Sequence, residues 1–248
     1  MKNSTNIKLI NTKGFTLVEL SLVIVIIGLI VAGVIGGQSL VNQAKLRTVI
    51  TDIDKYKVAV NAFRLEYDTI PGDMSNAESY FGAANTNNGN GDGRIPRGSQ
   101  EVFLLWQHLS LAGFIKGTYT GAGDGGANNS TPDVNVPSAY GGKVCLGTRY
   151  GQDSIGAPSD LKPNKDIQFL VMGGIRSGTD CTNKGFKPKD NLSIDTKIDD
   201  GLSNSGIIMG IEGANTSNNI TNCENLSTGV YNLSRNSIEC ILMATKVF

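Results

Sequence analysis

The chain has 248 residues, 40% of them hydrophobic, and its 22 basic and 22 acidic side chains cancel to a formal net charge of zero. That balance excludes the strongly basic signature of a general nucleic-acid binder, and the apolar content excludes wholesale disorder. The length allows one or two domains, and 31 glycines with 24 asparagines mark a chain rich in turns.

The apolar residues are unevenly spread. Met1 to Gly14 form a short segment with Lys2, Lys8 and Lys13 and no acid, and Phe15 to Ile35 then read FTLVELSLVIVIIGLIVAGVI with one charge, Glu19. A run of about 20 apolar residues matches the hydrocarbon thickness of a bilayer, and lysines ahead of a span keep that side cytoplasmic. A secretory signal would place small residues and a cleavage site after its apolar region, whereas here a Lys13-Gly14-Phe15 junction stands before it. A plain single-pass anchor would account for the span but not for Glu19. An intramembrane carboxylate is costly and usually has a partner. A chain cut after Gly14 would present a new ammonium on Phe15, one helical turn from Glu19.

Lys13-Gly14-Phe15-Thr16-Leu17-Val18-Glu19-Leu20, followed by the unbroken apolar run, closely resembles the N-terminus of type IV pilins and the pseudopilins of type II secretion. The resemblance covers about the first 40 residues. It implies that a prepilin peptidase removes a leader, residues 1–14, by cutting between Gly14 and Phe15, and then methylates Phe15. It also implies that Glu19 pairs with the amino terminus of a neighbouring subunit during filament assembly. Many members carry a helix-kinking proline where this chain has Gly36, followed by Gly37. A helical glycine costs about 1 kcal/mol relative to Ala, so local melting there needs no proline. Gly33 and Gly37 would equally suit close helix packing in a membrane.

No proline occurs before Pro71. Leu46, Val49, Ile50, Ile53, Tyr56, Val60, Phe63 and Tyr67 form a helical stripe, with Thr48, Asp52, Lys55 and Glu66 on the other side. One helix is therefore expected over residues 15–67, near 80 Å at about 1.5 Å per residue, with 15–37 as the transmembrane or filament-core part. Residues 68–248 form the head. Pro71-Gly72 stops the helix, Met74 to Phe81 reads as a short second helix, and Ser99 is placed to cap a third through Leu111, with Val102, Phe103, Trp106 and Leu109 inward. Short strands are expected at Gly113–Tyr119, Lys143–Tyr150, Ile167–Gly173, Gly206–Glu212, Gly229–Leu233 and Glu239–Val247. Loop residues cluster between them, notably over 120–141, and Asp190 to Asp200 reads as a helix stopped by Gly201.

Cys145, Cys181, Cys223 and Cys240 all fall in the head, where an extracytoplasmic location permits disulfides. Four cysteines allow three pairings. Cys145–Cys181 with Cys223–Cys240 is favoured, because shorter loops close most readily. Asn88-Gly-Asn90-Gly-Asp92-Gly93-Arg94-Ile95 resembles the first part of an EF-hand calcium loop: oxygens at positions one, three and five, glycine at six, the Arg94 carbonyl at seven. Ser99 stands where the bidentate glutamate belongs, and Glu101 is the substitute oxygen. A plain Asn/Gly turn explains the same residues. His108 has no nucleophile patterned around it, Asp199-Asp200 reads as a solvated helix end as readily as a carboxylate pair, and the Asn-x-Ser/Thr triplets at Asn129 and Asn191 carry little weight among so many asparagines.

The fold expected is α+β, the pilin-like lollipop plan of the resembled family: a long N-terminal helix on a small antiparallel sheet with long loops. The function expected is a non-enzymatic subunit, pseudopilin or minor pilin, of a type IV pilus or type II secretion pseudopilus. The resemblance implies other pilin subunits, the prepilin peptidase, an assembly ATPase and an inner-membrane platform as partners. It places the protein in the inner membrane with leader cytoplasmic and head periplasmic. The alternative is a membrane-tethered calcium-binding adhesion or ligand-binding module. Removing residues 1–14 leaves 19 basic against 22 acidic side chains, so the neutral average conceals a basic leader and a mildly acidic remainder.

Overall fold

The computed structural model describes residues 14–96, 98–122, 131–151, 167–176, 180–213, 222–225, 227–245 and 247–248. The leader lysines, Asn129 and part of the expected 120–141 loop lie outside them. Contacts divide the chain into two compact units, residues 1–44 and 45–248, so the head begins inside the first helix.

In the first unit Gly14 to Thr16 are non-helical, and helix α1 (Leu17–Tyr67) follows. Thr16 and Glu19 close its start as a capping box. The Thr16 N–H and hydroxyl each donate to Glu19 Oε2 at 2.8 Å, and the Glu19 N–H donates to Thr16 Oγ1 at 3.2 Å. The helix runs unbroken through Gly33, Gly36 and Gly37, and a Cβ added at any of them would meet nothing within 4 Å. The helix is long and apolar enough to cross a membrane, and its most apolar window has no residue buried within the protein.

The second unit is built on the part of α1 that the stripe marks. Leu46, Val49, Ile53, Tyr56, Val60 and Phe63 are buried, Ala59 joins them, and Ile50 and Tyr67 pack at the margin. The remaining elements in chain order are α2 (Ala77–Phe81), α3 (Glu101–Leu111), β1 (Ser138–Ala139), β2 (Val144–Tyr150), β3 (Gln168–Arg176), β4 (Asp180–Asn183), α4 (Pro188–Ile198), β5 (Ile208–Glu212), β6 (Glu224–Asn225), β7 (Val230–Tyr231) and β8 (Cys240–Ala244). All pairings of these strands are antiparallel: a main sheet in the order β1-β2-β3-β8-β5, β4 alongside β3, and a separate β6–β7 pair. The fold is α+β. One core cluster joins the inward stripe of α1 to Trp106, Leu146, Leu170, Met172, Ile208 and Leu242. The alternate residues of the same strands, Phe169, Val171, Met209, Ile211, Ile241 and Met243, make a second buried cluster, as the two-residue period of a strand requires.

Three expectations change. Gly113–Tyr119 forms turns and irregular chain instead of a strand; Gly113 and Gly117 have φ of 78° and 110°, which an extended run does not accommodate. Helix α3 is not one-sided, because Glu101 through Leu109 are all buried. Gln100, not Ser99, precedes it, and the Ser99 hydroxyl is spent on Pro96 O and Glu101 Oε2. The short strands β1, β4 and β6 had no periodic signal to reveal them.

Candidate functional site

The expected processing residues, Gly14 and Phe15, lie at the start of the described residues. Gly14 to Thr16 are exposed and outside any helix, with Phe15 84% exposed. Cleavage at Gly14–Phe15 therefore requires no helix to unwind. Glu19 is exposed, and its carboxylate already serves Thr16, a role that the Thr-x-x-Glu spacing signals.

Comparison with known families matches the chain over residues 10–35 to the prokaryotic N-terminal methylation motif. The N-terminus of the chain carries the motif of a type IV pilin-like precursor. Comparison with curated proteins and with solved structures returns no match. The motif ends inside α1, so the head's properties rest on the head's own geometry.

The structure pairs Cys145 with Cys181 and Cys223 with Cys240, at Cα–Cα distances of 5.3 and 5.2 Å. The first joins β2 to β4, and the second joins the chain just before β6 to the first residue of β8. Both tie short peripheral strands to the main sheet, where hydrogen bonding alone offers few rungs.

The Asn88–Ile95 loop has an organiser that was not singled out from the sequence, Asp73. This residue is 2% exposed, and its carboxylate accepts the N–H groups of Gly91 (2.8 Å), Asp92 (3.1 Å) and Gly93 (2.8 Å). A glycine-rich run with successive free amides forms a nest for an anion. Here the anion is supplied from within the chain. Burial pushes the Asp73 carboxyl up, and the three amides pull it back. Glu101 closes the other side: Oε1 accepts the Asn90 N–H at 2.9 Å, and burial raises its carboxyl too. Within the loop Asn90 Oδ1 accepts the Asp92 N–H and Asp92 Oδ1 accepts the Arg94 N–H, both at 2.9 Å. Arg94 stacks on Tyr150 at 5.1 Å, and the Ile95 N–H reaches Gln168 Oε1 at 3.2 Å.

The expected ligand set is only partly assembled. Asn88 Oδ1 accepts the Glu78 N–H of α2 at 2.9 Å, so the first position of the loop is turned to a helix, and Asp73 meets the loop amides in its stead. Asp73, Asp92 and Glu101 act on one another electrostatically.

The turn that carries Asp73 is held from α3. Gly72 has φ of 94°, and a Cβ there would lie 2.6 Å from Glu101 O and 2.9 Å from Leu105 N. Its N–H donates to His108 Nδ1 at 3.0 Å. Nδ1 must then be the acceptor, which leaves the proton on Nε2, 3.1 Å from Thr86 Oγ1 and 3.3 Å from Asn87 O. Burial pushes His108 down to about 4. Its role is structural: both ring nitrogens pin loops. Beside this turn an open cleft is lined by Asn61, Arg64, Asp68, Asp73, Gly91 and Gly93.

Asp195, Asp199 and Asp200 bring carboxylate oxygens within 4.8 Å of one another, yet each is engaged by the chain. Asp195 accepts the Gly201 N–H and the Tyr231 hydroxyl, Asp199 the N–H groups of Ile207 and Ile208, and Asp200 the Leu202 N–H and the Ser205 hydroxyl. They shape the exit from α4. Asn191 is fully buried, its amide donating to Ile241 O at 2.9 Å.

Proposed function

We propose that this chain is a prepilin that is inserted with residues 1–14 on the cytoplasmic side of the inner membrane. A prepilin peptidase cuts between Gly14 and Phe15 and methylates Phe15. The mature chain then joins a pilus or pseudopilus through α1 as a specialised, non-enzymatic subunit. The carrying observation is the methylation motif running directly into a helix whose apolar window is wholly unburied within the protein. Such a surface needs lipid before assembly and neighbouring helices after it. Glu19 supplies the charge that pairs with a neighbour's Phe15 amine, and the platform, its ATPase and the other subunits are the partners this route requires. The large, loop-rich head favours a minor subunit or pseudopilin. Gly14→Val tests the route: co-expressed with a prepilin peptidase, the variant retains its leader and stays out of the filament fraction. Normal shortening of the variant contradicts the proposed cut.

A second reading, a membrane-tethered calcium-binding module, is supported by the convergence of Asp73, Asp92 and Glu101 on one loop. It expects millimolar calcium to raise the melting temperature of the wild type and not of Asp92→Ala. Equal shifts in the two proteins reject it.

A further inference from the structure

A second buried acidic group lies at the far edge of the main sheet, around the Cys223–Cys240 bridge. Strand β5 ends at Glu212, which faces Cys240 in register, and Glu224 faces Tyr231 in the β6–β7 pair. The two glutamates hold each other's strands. The Cys223 N–H donates to Glu212 Oε2 at 2.9 Å, and the Glu212 backbone N–H serves the Glu224 carboxyl. Glu224 is 2% exposed. Its Oε2 and the Oε1 of Glu212 are both buried without a hydrogen-bond partner.

The surrounding charges among the described residues do not neutralise Glu224. Among the described residues the ion pairs here belong to Lys184, which contacts Glu239 and lies 3.7 Å from Glu212 Oε1. One ammonium thus serves two carboxylates. From β7, Tyr231 faces Glu224 while donating its hydroxyl to Asp195 of α4 at 2.7 Å. Arg235 acts on Glu239. Glu239 sits below its ordinary range: burial pushes it up, but hydrogen bonds from Lys184 and Ser237 outweigh that. Burial, with the Glu212 charge beside it, pushes Glu224 up to about 8. A buried carboxylate next to another, with no ion pair among the described residues, is relieved most simply by binding a proton.

We propose that Glu212 and Glu224 form a proton-operated latch: with a proton on Glu224 the β6–β7 pair stays docked on the end of β5, and loss of that proton loosens it. The proton leaves one negative charge where two would repel. The disulfide keeps the loosened segment tethered, so opening is local and reversible.

The test uses the full chain in detergent micelles, with glutamate carboxyl carbons labelled for NMR. The resonance missing in Glu224→Gln should titrate near pH 8 in the wild type; titration in the ordinary glutamate range overturns the proposal. Reduction of Cys223–Cys240 by a phosphine should accelerate about tenfold more from pH 7 to pH 9 in the wild type than in Glu224→Gln, since the ionised fraction of a carboxyl with its midpoint near 8 rises from about one in eleven to about ten in eleven over that range. Equal acceleration in both proteins overturns the latch. Should Glu224→Gln fold poorly, Glu212→Gln takes its place: removing the neighbouring charge must lower the midpoint of the highest-titrating glutamate, and an unchanged midpoint overturns the coupling.

Discussion

Glu19 carries two separable properties, an acceptor for the Thr16 N–H and hydroxyl and a negative charge. Loss of a helix cap costs about 1 kcal/mol, too little to prevent insertion of so apolar a helix. Glu19→Gln keeps an acceptor oxygen and drops the charge, whereas Glu19→Ala drops both. If pairing with an amine drives assembly, both variants insert, are cleaved, and fail to enter filaments in a shear-fraction immunoblot. Rescue by Gln would assign the effect to the cap. His108 and Glu224 give opposite pH dependences. His108 is pushed down to about 4 from 6.5, so the unfolded chain binds more protons between those values. Its contribution is complete above 6.5 and is lost as pH falls through 4, up to about 3 kcal/mol. Glu224 is pushed up to about 8 from 4.5. The folded chain binds the extra proton in that window, and stability falls by about 1.4 kcal/mol per unit as pH rises through it. Urea unfolding of wild type and His108→Gln should show a stability gap at pH 7 that narrows by pH 4.5. A gap independent of pH would remove His108 from the balance.

At the scale of elements, the stripe from Leu46 to Tyr67 was legible because a helical period repeated over six turns outweighs any local ambiguity. Strands β2, β3, β5 and β8 were legible as apolar runs between turn residues. The capping of α3 and the Asp73 nest were not, because both depend on contacts between segments distant in sequence. Asp73 lies 18 to 20 residues from the amides it accepts, and nothing local to Pro71-Gly72-Asp73 names them. The same turn makes a sharp prediction. Gly72→Ala meets backbone atoms at 2.6 and 2.9 Å with φ at 94° and should cost about 2–4 kcal/mol. Gly93→Ala has positive φ but open space and should cost about 1–2 kcal/mol. Equal losses in denaturant titrations would mean that the turn does not press on α3. Reducing either disulfide should cost about 2–4 kcal/mol by the same measurement.

For the whole molecule, the zero net charge sums a basic leader, a helix segment almost free of charge and a mildly acidic head. The division at Ala44/Lys45 follows from where apolar residues stop surrounding α1 and begin to line one side of it. The proposed function was legible in the first 40 residues because the processing it requires reads a linear segment, and a linear signal needs no folding to be read. The head offers no such signal, so its loop chemistry and its buried carboxylates emerge only when strands are brought together. The central claim concerns the covalent state of the mature chain, and intact-mass spectrometry with N-terminal fragmentation of protein purified from its own membrane tests it most directly. The account predicts a chain beginning at N-methylated Phe15, without residues 1–14. A mature chain that still carries Met1 to Gly14, or that begins at any other residue, would contradict it.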